Sequence, residues 1–512
     1  MDQYTISSTS FPDVPEDVLQ YIFSLCDFPD VIRFGMTCKA LEKIIRESPI
    51  LKYHIELGAQ RMISLPDVIV SDTTISQRLE LLKEVGLDWS RFTMAGSSSR
   101  HIGLTTDRMP CISIADTRLM EVTRSAIYVM PIRIEGVAID VTQNLSALVA
   151  RAPPGYHIYL RTVDKNVQHP LAPEPVLLPT QLPTGQWEPY DVKVKILGQS
   201  LVFLGLDLQR ENSIVGETLQ IWNWQEADNA EPQCVITKAE VDDNILDFCF
   251  LAHDALLLLT TSGVLEVYTF SEFATPVCKA RYALPKIRPG FKCSRGDGFI
   301  ICNFPCVATA ATRRSVDSSK LIVLPFCPNP QDRICAVSFG YVFYIDMQSL
   351  FTSGGVAPTS GNGTETSVLA WSAWGPQNSR CFPNDGVYDV HGSRAVGISR
   401  IGGRTYRLRM REFNPYAIRR TSAVGDNYQW LVTEPSRIPP GWAFAEEVVT
   451  YLPYREAFSY EWFDEFDSTF QVSVDDSRLV LVQKLDVANN ININFQTRIV
   501  LFKFCSARDA KI

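Results

Sequence analysis

The chain has 512 residues, of which 46% are hydrophobic, 11% aromatic and 21% charged. That balance supplies material for large cores and excludes wholesale disorder. Its 48 Lys and Arg stand against 57 Asp and Glu, a formal net charge of −9, so nucleic acid held by phosphate neutralisation is not the expected partner.

No run approaches the ~20 apolar residues of a membrane-spanning helix; Ala255 to Leu259 is followed at once by Thr-Thr-Ser-Gly. Met1-Asp2-Gln3-Tyr4-Thr5 shows neither the basic nor the apolar region of a secretory signal. The 13 Cys are scattered and odd in number, which fits reduced thiols in a cytoplasmic or nuclear protein. The sequons at Asn144 and Asn362 are then chance matches.

Helix signals open the chain. Asp13, Pro15 and Glu16 give a start with capping-box spacing, and Val18, Leu19, Ile22, Phe23, Leu25 and Cys26 recur at helical intervals. They cover more than one narrow stripe, so two buried faces are expected. Asp27-Phe-Pro-Asp30 restarts a short helix carrying Val31, Ile32 and Phe34. Thr37 is placed to cap a third, with Leu41, Ile44 and Ile45 inward and Ser48-Pro49 at its end. A fourth runs from Ile50 to Leu57 and stops at Gly58. Four short helices bury little surface alone, so the module needs a partner.

Residues 11–57 resemble an F-box. Val14-Pro15, Val18, Leu19, Ile22, Leu25, Phe28, Val31, Thr37-Cys38-Lys39 and Leu41 follow the family order, with Val14 where Leu is usual and Leu41 where Trp is frequent. The resemblance implies that Val14, Pro15, Val18, Leu19, Ile22, Leu25, Phe28 and Val31 hold a Skp-family adaptor and, through it, a cullin. The plainer reading of the same residues is a private helical cap. Residues 58–99 are expected to form a linker with a spacer helix from Ser76 to Leu87, in which Leu79, Leu82 and Val85 share one side and Trp89 packs at the junction.

Beyond residue 100, β-branched and aromatic residues are cut by Gly, Pro, Asn and Asp. A polar turn followed by an apolar strand recurs at 139–149, 196–204, 250–259, 388–398 and 472–482. After each comes an aromatic-rich strand at 157–161, 219–224, 265–270, 406–413 and 499–504. The first three apolar strands begin at Leu145, Leu201 and Leu256, intervals of 56 and 55 residues; a four-stranded propeller blade takes ~40–50. Ala336 to Ile345 resembles a damaged copy. The expected fold is mainly β, a six- or seven-bladed β-propeller over 100–512, separable from the helices near 91–100. Its closing strand, Ile499 to Cys505, would complete a blade begun near residue 100. Two β-sandwiches would share the alternation but not the interval. The whole chain resembles the expanded F-box families of mushroom-forming fungi, which implies no particular substrate.

Enzyme signatures are absent: no G-x-S-x-G, no G-x-x-x-x-G-K-[ST] and no H-E-x-x-H. Cys293, Cys302 and Cys306 lack the fourth ligand of structural zinc. Six dispersed His, and Asp pairs at 242–243 and 475–476 in turn contexts, offer no catalytic pair. No catalytic residue, metal or cofactor is expected. Two surfaces are candidates for a client protein: Arg407, Arg409 and Arg411 on one face of a strand, and the loop-borne Trp371 and Trp374. Their plain readings are a blade face neutralised by acids and a plug between blades. The function expected from the resemblance is substrate receptor of a cullin-type ubiquitin ligase, with no nucleic acid or membrane partner. A propeller hydrolase or lectin-like binder with a helical cap is the alternative. The turns at 143–144, 253–254, 391–392 and 475–476 should share one rim.

Overall fold

The computed structural model describes residues 14–64, 73–92, 96–103, 134–140, 143–152, 155–180, 191–206, 218–226, 230–238, 243–270, 275–289, 298–300, 326–328, 334–338, 341–353, 367–383, 388–402, 405–420, 429–441, 443–464, 470–474, 478–489 and 492–503. Helices come first: α1 (Glu16–Ser24), α2 (Phe28–Thr37), α3 (Lys39–Glu47), α4 (Pro49–Ala59) and, after strand β1 (Met62–Ser64), α5 (Ile75–Arg91).

Pro15 takes the N-cap position of α1, with Glu16 and Asp17 in the first turn where the helix dipole favours anions. Thr37 closes α2 rather than capping α3: its hydroxyl donates to Phe34 O at 2.7 Å, and Cys38 precedes α3. Ser48 ends α3 and caps α4, accepting from Leu51 N. Gly58 lies inside α4. A Cβ there would sit 2.2 Å from the Phe28 ring, so glycine lets α2 close onto α4. Thr74 and Gln77 form a reciprocal capping box that starts α5.

Six sheets of four or five strands follow among the described residues. The first joins β3 (Ile134–Asp140), β4 (Leu145–Ala152), β5 (Gly155–Thr162) and β6 (Val176–Leu177). The second joins β7 (Asp191–Leu197), β8 (Ser200–Leu206), β9 (Thr218–Asn223) and β10 (Cys234–Thr237). The third holds β11 (Ile245–Ala252), β12 (Ala255–Thr260), β13 (Val264–Thr269) and β14 (Val277–Ala283), extended in parallel by β19 (Val368–Leu369). The fourth joins β15 (Gly298–Ile300), β17 (Ile334–Ser338), β18 (Tyr341–Asp346) and β20 (Ser379–Pro383). Around it lie β16 (Phe326–Pro328), paired with β1, and helices α6 (Met347–Ser353) and α7 (Trp371–Asn378).

The fifth sheet runs β21 (Tyr388–His391), β22 (Arg394–Gly402), β23 (Thr405–Glu412), β27 (Tyr454–Asp464), β24 (Gln429–Val432). It carries helix α8 (Pro415–Arg420) and the hairpin β25 (Ser436–Ile438) with β26 (Val448–Thr450). The sixth is built from both ends of the fold: β28 (Phe470–Val474), β29 (Arg478–Asn489) and β30 (Asn492–Lys503) are completed by β2 (Gly96–Gly103), with Gly96 opposite Lys503. Sequential antiparallel sheets closed by an early strand are the topology of a β-propeller, each sheet one blade.

Each consecutive pair of blades shares an apolar layer. Leu201 and Phe203 of β8 point to blade one, Val202 and Leu204 to blade three. Second strands are thus buried on both faces, which is why Leu256 to Leu259 reads as a continuous apolar run rather than an alternation. Leu145, Leu201 and Leu256 all fall at the start of such strands. A backbone bond repeats with them: Val163, Trp224, Phe270 and Phe413 donate N–H to the turn carbonyls of Asn144, Gln199, Asp254 and Ser393. The stretch from Ala336 to Ile345 differs in register, since its turn joins second and third strands.

Helices and propeller share a core. Leu57, Leu79, Leu82, Val85, Trp89 and Phe92 form one core with side chains of blades five and six, among them Val396, Leu408, Met410, Val472 and Leu481. Arg61 Nη1 lies 3.9 Å from Asp346 Oδ1 at the end of β18.

Asp88, near the end of α5, has its carboxyl pushed up to about 6, first by burial and then by Glu84, against the pull of Arg91. The folded state therefore binds the extra proton. Stability from this group is present below about 3.8 and is lost as pH rises through about 6. Asp88→Asn should raise stability at pH 7 by about 1 kcal/mol, a value discounted for solvent screening of a partly exposed group. Urea midpoints at pH 4 and pH 7 should lie closer together in the variant; an unchanged gap contradicts the assignment.

Candidate functional site

The width of the α1 apolar stripe resolves into two faces. Leu19 and Phe23, four residues apart, point inward and with Val31, Leu41 and Leu51 make the small core of the helical module. On the opposite side Val18, Tyr21, Ile22 and Leu25 stand 42, 67, 46 and 71% exposed. Ile32, Phe34 and Met36 of α2 and Ile50 of α4 are also exposed. Val18, Tyr21, Ile22 and Leu25 recur at helical spacing, so one face of α1 is apolar and exposed.

The expected adaptor-binding residues are thus divided. Pro15, Val18, Ile22 and Leu25 are exposed; Val14 is half-buried against the module core. Leu19 and Val31 are corrected to core positions, because helical spacing gives the stripe without telling which edge faces in. Phe28 is also turned away: its ring meets Tyr416 of α8 edge-on at 4.9 Å. Tyr21 and Met36 were not singled out from the sequence. Tyr21 lies three residues from Val18 and four from Leu25, which is the signal that could have found it.

Neither candidate client surface has the expected exposure. Arg407, Arg409 and Arg411 do share a face of β23, but a third strand in a propeller is covered by the neighbouring blade. Arg411 is buried, with its Nε 3.2 Å from Glu456 Oε1 and its guanidinium 3.7 Å from the Phe382 ring centre in β20. Arg409 approaches the same carboxylate at 3.8 Å, and Arg407 lies over Phe458. Trp374 is buried, donates from Nε1 to Ala283 O at 3.0 Å and meets Tyr282 edge-on. Trp371 packs on Phe343. The pair plugs the space between blades three and four, where Gly375 admits the Trp371 ring within 2.1 Å of where a Cβ would stand.

The polar turns come together at one end. Gln143 Nε2 donates to Gly198 O and Ser200 Oγ to His253 O, linking the first turns of blades one, two and three. Ile334 N donates to Gly392 O between blades four and five. Asp475 and Asp476 lie outside the described residues. The helices sit at this same end, over blades four to six. Trp89 lies beneath Arg394, the first residue of β22, and Ser90 O accepts from Arg455, which pairs with Glu412 at that edge. The opposite end carries no helix among the described residues.

Among the described residues, no group of three or more His, Cys, Asp and Glu side chains could hold a metal, and no helix is long and apolar enough to cross a membrane. Cys293, Cys302 and Cys306 lie outside the described residues.

Residues 11–53 match the F-box domain family, so the chain carries an F-box domain there. Among curated proteins, none matches this sequence. Among solved structures, the β-propeller domain of Cps50 (Swd1) from Myceliophteria thermophila is similar over 72% of this chain and 83% of its own, at 7% identity and a TM-score of 0.31. F-box domains generally bind Skp-type adaptors.

Proposed function

We propose that the chain is a substrate receptor of a Skp–cullin–F-box type ubiquitin ligase, acting in the cytoplasm or nucleus. Its F-box holds the Skp adaptor and, through it, the cullin, while the propeller binds a client protein. The observation that carries this reading is the exposed apolar face of α1, Val18, Tyr21, Ile22 and Leu25, within the segment that matches the F-box family. No side chain is assigned covalent chemistry. The contribution to catalysis is proximity, which makes ubiquitin transfer to a bound client effectively intramolecular. The helices occupy the turn end of blades four to six, which leaves the opposite end and blades one to three open to a client.

Ile22→Asp with Leu25→Asp tests the adaptor face. Two carboxylates set into an apolar interface should weaken capture of a Skp adaptor at least ~100-fold. Both residues are exposed in the free chain, so the melting temperature should stay near wild type. Capture at wild-type level by the folded double variant removes the reading. Leu19→Asp is the wrong probe, since it would disrupt the module's own core.

A further inference from the structure

Helix α8 is inserted between the third strand of blade five and its outer pair, and residues at both its ends reach the helical module of α1 to α4. Asn414, fully buried, donates from Nδ2 to Ala59 O at 2.9 Å, satisfying a carbonyl left open at the end of α4. Its own Oδ1 accepts from Tyr416 N. Tyr416 stands edge-on to Phe28 at the start of α2. At the far end, Arg420 Nη1 lies 2.7 Å from Glu56 Oε1 of α4.

Glu56 is buried, and the same oxygen accepts from Gln60 Nε2, which also donates to Leu82 O in α5. Gly86 makes that reach possible, since a Cβ there would stand 2.5 Å from Gln60 Nε2. One carboxylate thereby links α4, α5 and blade five. Helices α1 to α3 pack on α4, so whatever fixes α4 fixes the exposed face of α1.

We infer that Asn414, Tyr416 and Arg420 are positioning residues, a clasp that holds the F-box at one angle to the propeller. A client on the propeller then stands in a set direction from the adaptor face. That purpose rests on the ligase reading above; the clasp itself rests only on the contacts. The clasp acts beside the core that α4 and α5 share with blades five and six. Arg420 is half exposed, and its single charge pair reaches a carboxylate that has no other cation among its described contacts.

The test uses the full chain as wild type, Arg420→Glu, and Arg420→Glu with Glu56→Arg. Hydrogen exchange at the amides of Gln60, Arg61 and Ile418 should be about tenfold faster in the single variant and return toward wild type in the charge swap. Tyr416→Ala, which adds no charge, should move exchange in the same direction if Arg420→Glu folds poorly. Skp adaptor capture should be equal in all of them. In a reconstituted ligase, ubiquitin should fall on a restricted set of the chain's own lysines in wild type and on a wider set in Arg420→Glu. Unchanged exchange, or identical lysine sets, overturns the clasp. Loss of capture by the wild type would instead count against the ligase reading, while the exchange data still decide the clasp.

Discussion

Trp89→Ala is expected to destabilise the protein by about 3–5 kcal/mol, the range for deleting a large buried aromatic. The indole is almost wholly buried in the core shared by α5 and blades five and six. The Arg394 guanidinium lies 4.9 Å from its ring centre, and Arg394 is itself held 2.7 Å from the buried Glu412 carboxylate. Truncation therefore opens a cavity and strips one face from a buried cation. The rigid sheets around it leave little room for collapse. Urea unfolding followed by fluorescence and circular dichroism should show an earlier midpoint in both signals. A shift under about 0.5 kcal/mol, the size of an ordinary surface change, would mean that the helices do not share the propeller's core.

The second large effect concerns where the chain can be cut. A fragment starting at residue 100 is expected to aggregate rather than fold as an independent propeller. It lacks Gly96 to Ser99, which pair with Lys503 to Val500 in the closing blade, so part of β30 becomes an open edge. It also lacks α4 and α5, which removes Leu57, Leu79, Leu82, Val85 and Trp89 from the core they share with blades five and six and leaves that core incomplete. An open strand edge beside an apolar patch is an aggregation hazard. Light scattering and chromatography of the fragment against the full chain measure this. A monomeric fragment with a β-type spectrum and the full chain's midpoint would restore the separable boundary that composition suggests near residues 91–100.

The features legible in the sequence are those written in local spacing. The turn-and-strand repeat at Leu145, Leu201 and Leu256 marks the same position in successive blades, because a hairpin turn and the strand after it are adjacent in the chain. The starts of α2 after Asp27 and of α4 after Ser48 follow from the same kind of signal. Sidedness is what spacing leaves open. Alternation puts Arg407, Arg409 and Arg411 on one face, but whether a blade face meets solvent or another blade depends on a sheet formed elsewhere in the chain. Leu19 and Ile22 differ only by which side of one helix meets Leu41 and Leu51. Gly58 reads locally as a stop, whereas its role is to admit Phe28 from a helix thirty residues earlier. The clasp pairs Glu56 with Arg420, 364 residues apart, a separation at which no local pattern operates.

The central claim, that the F-box presents its α1 face to a Skp adaptor, is tested most directly by native mass spectrometry of the full chain co-expressed with such an adaptor. The account predicts one principal species, the 57.5 kDa chain plus a single adaptor, surviving dilution to micromolar concentration. A free 57.5 kDa chain as the only species, with folded adaptor present in excess, would contradict it.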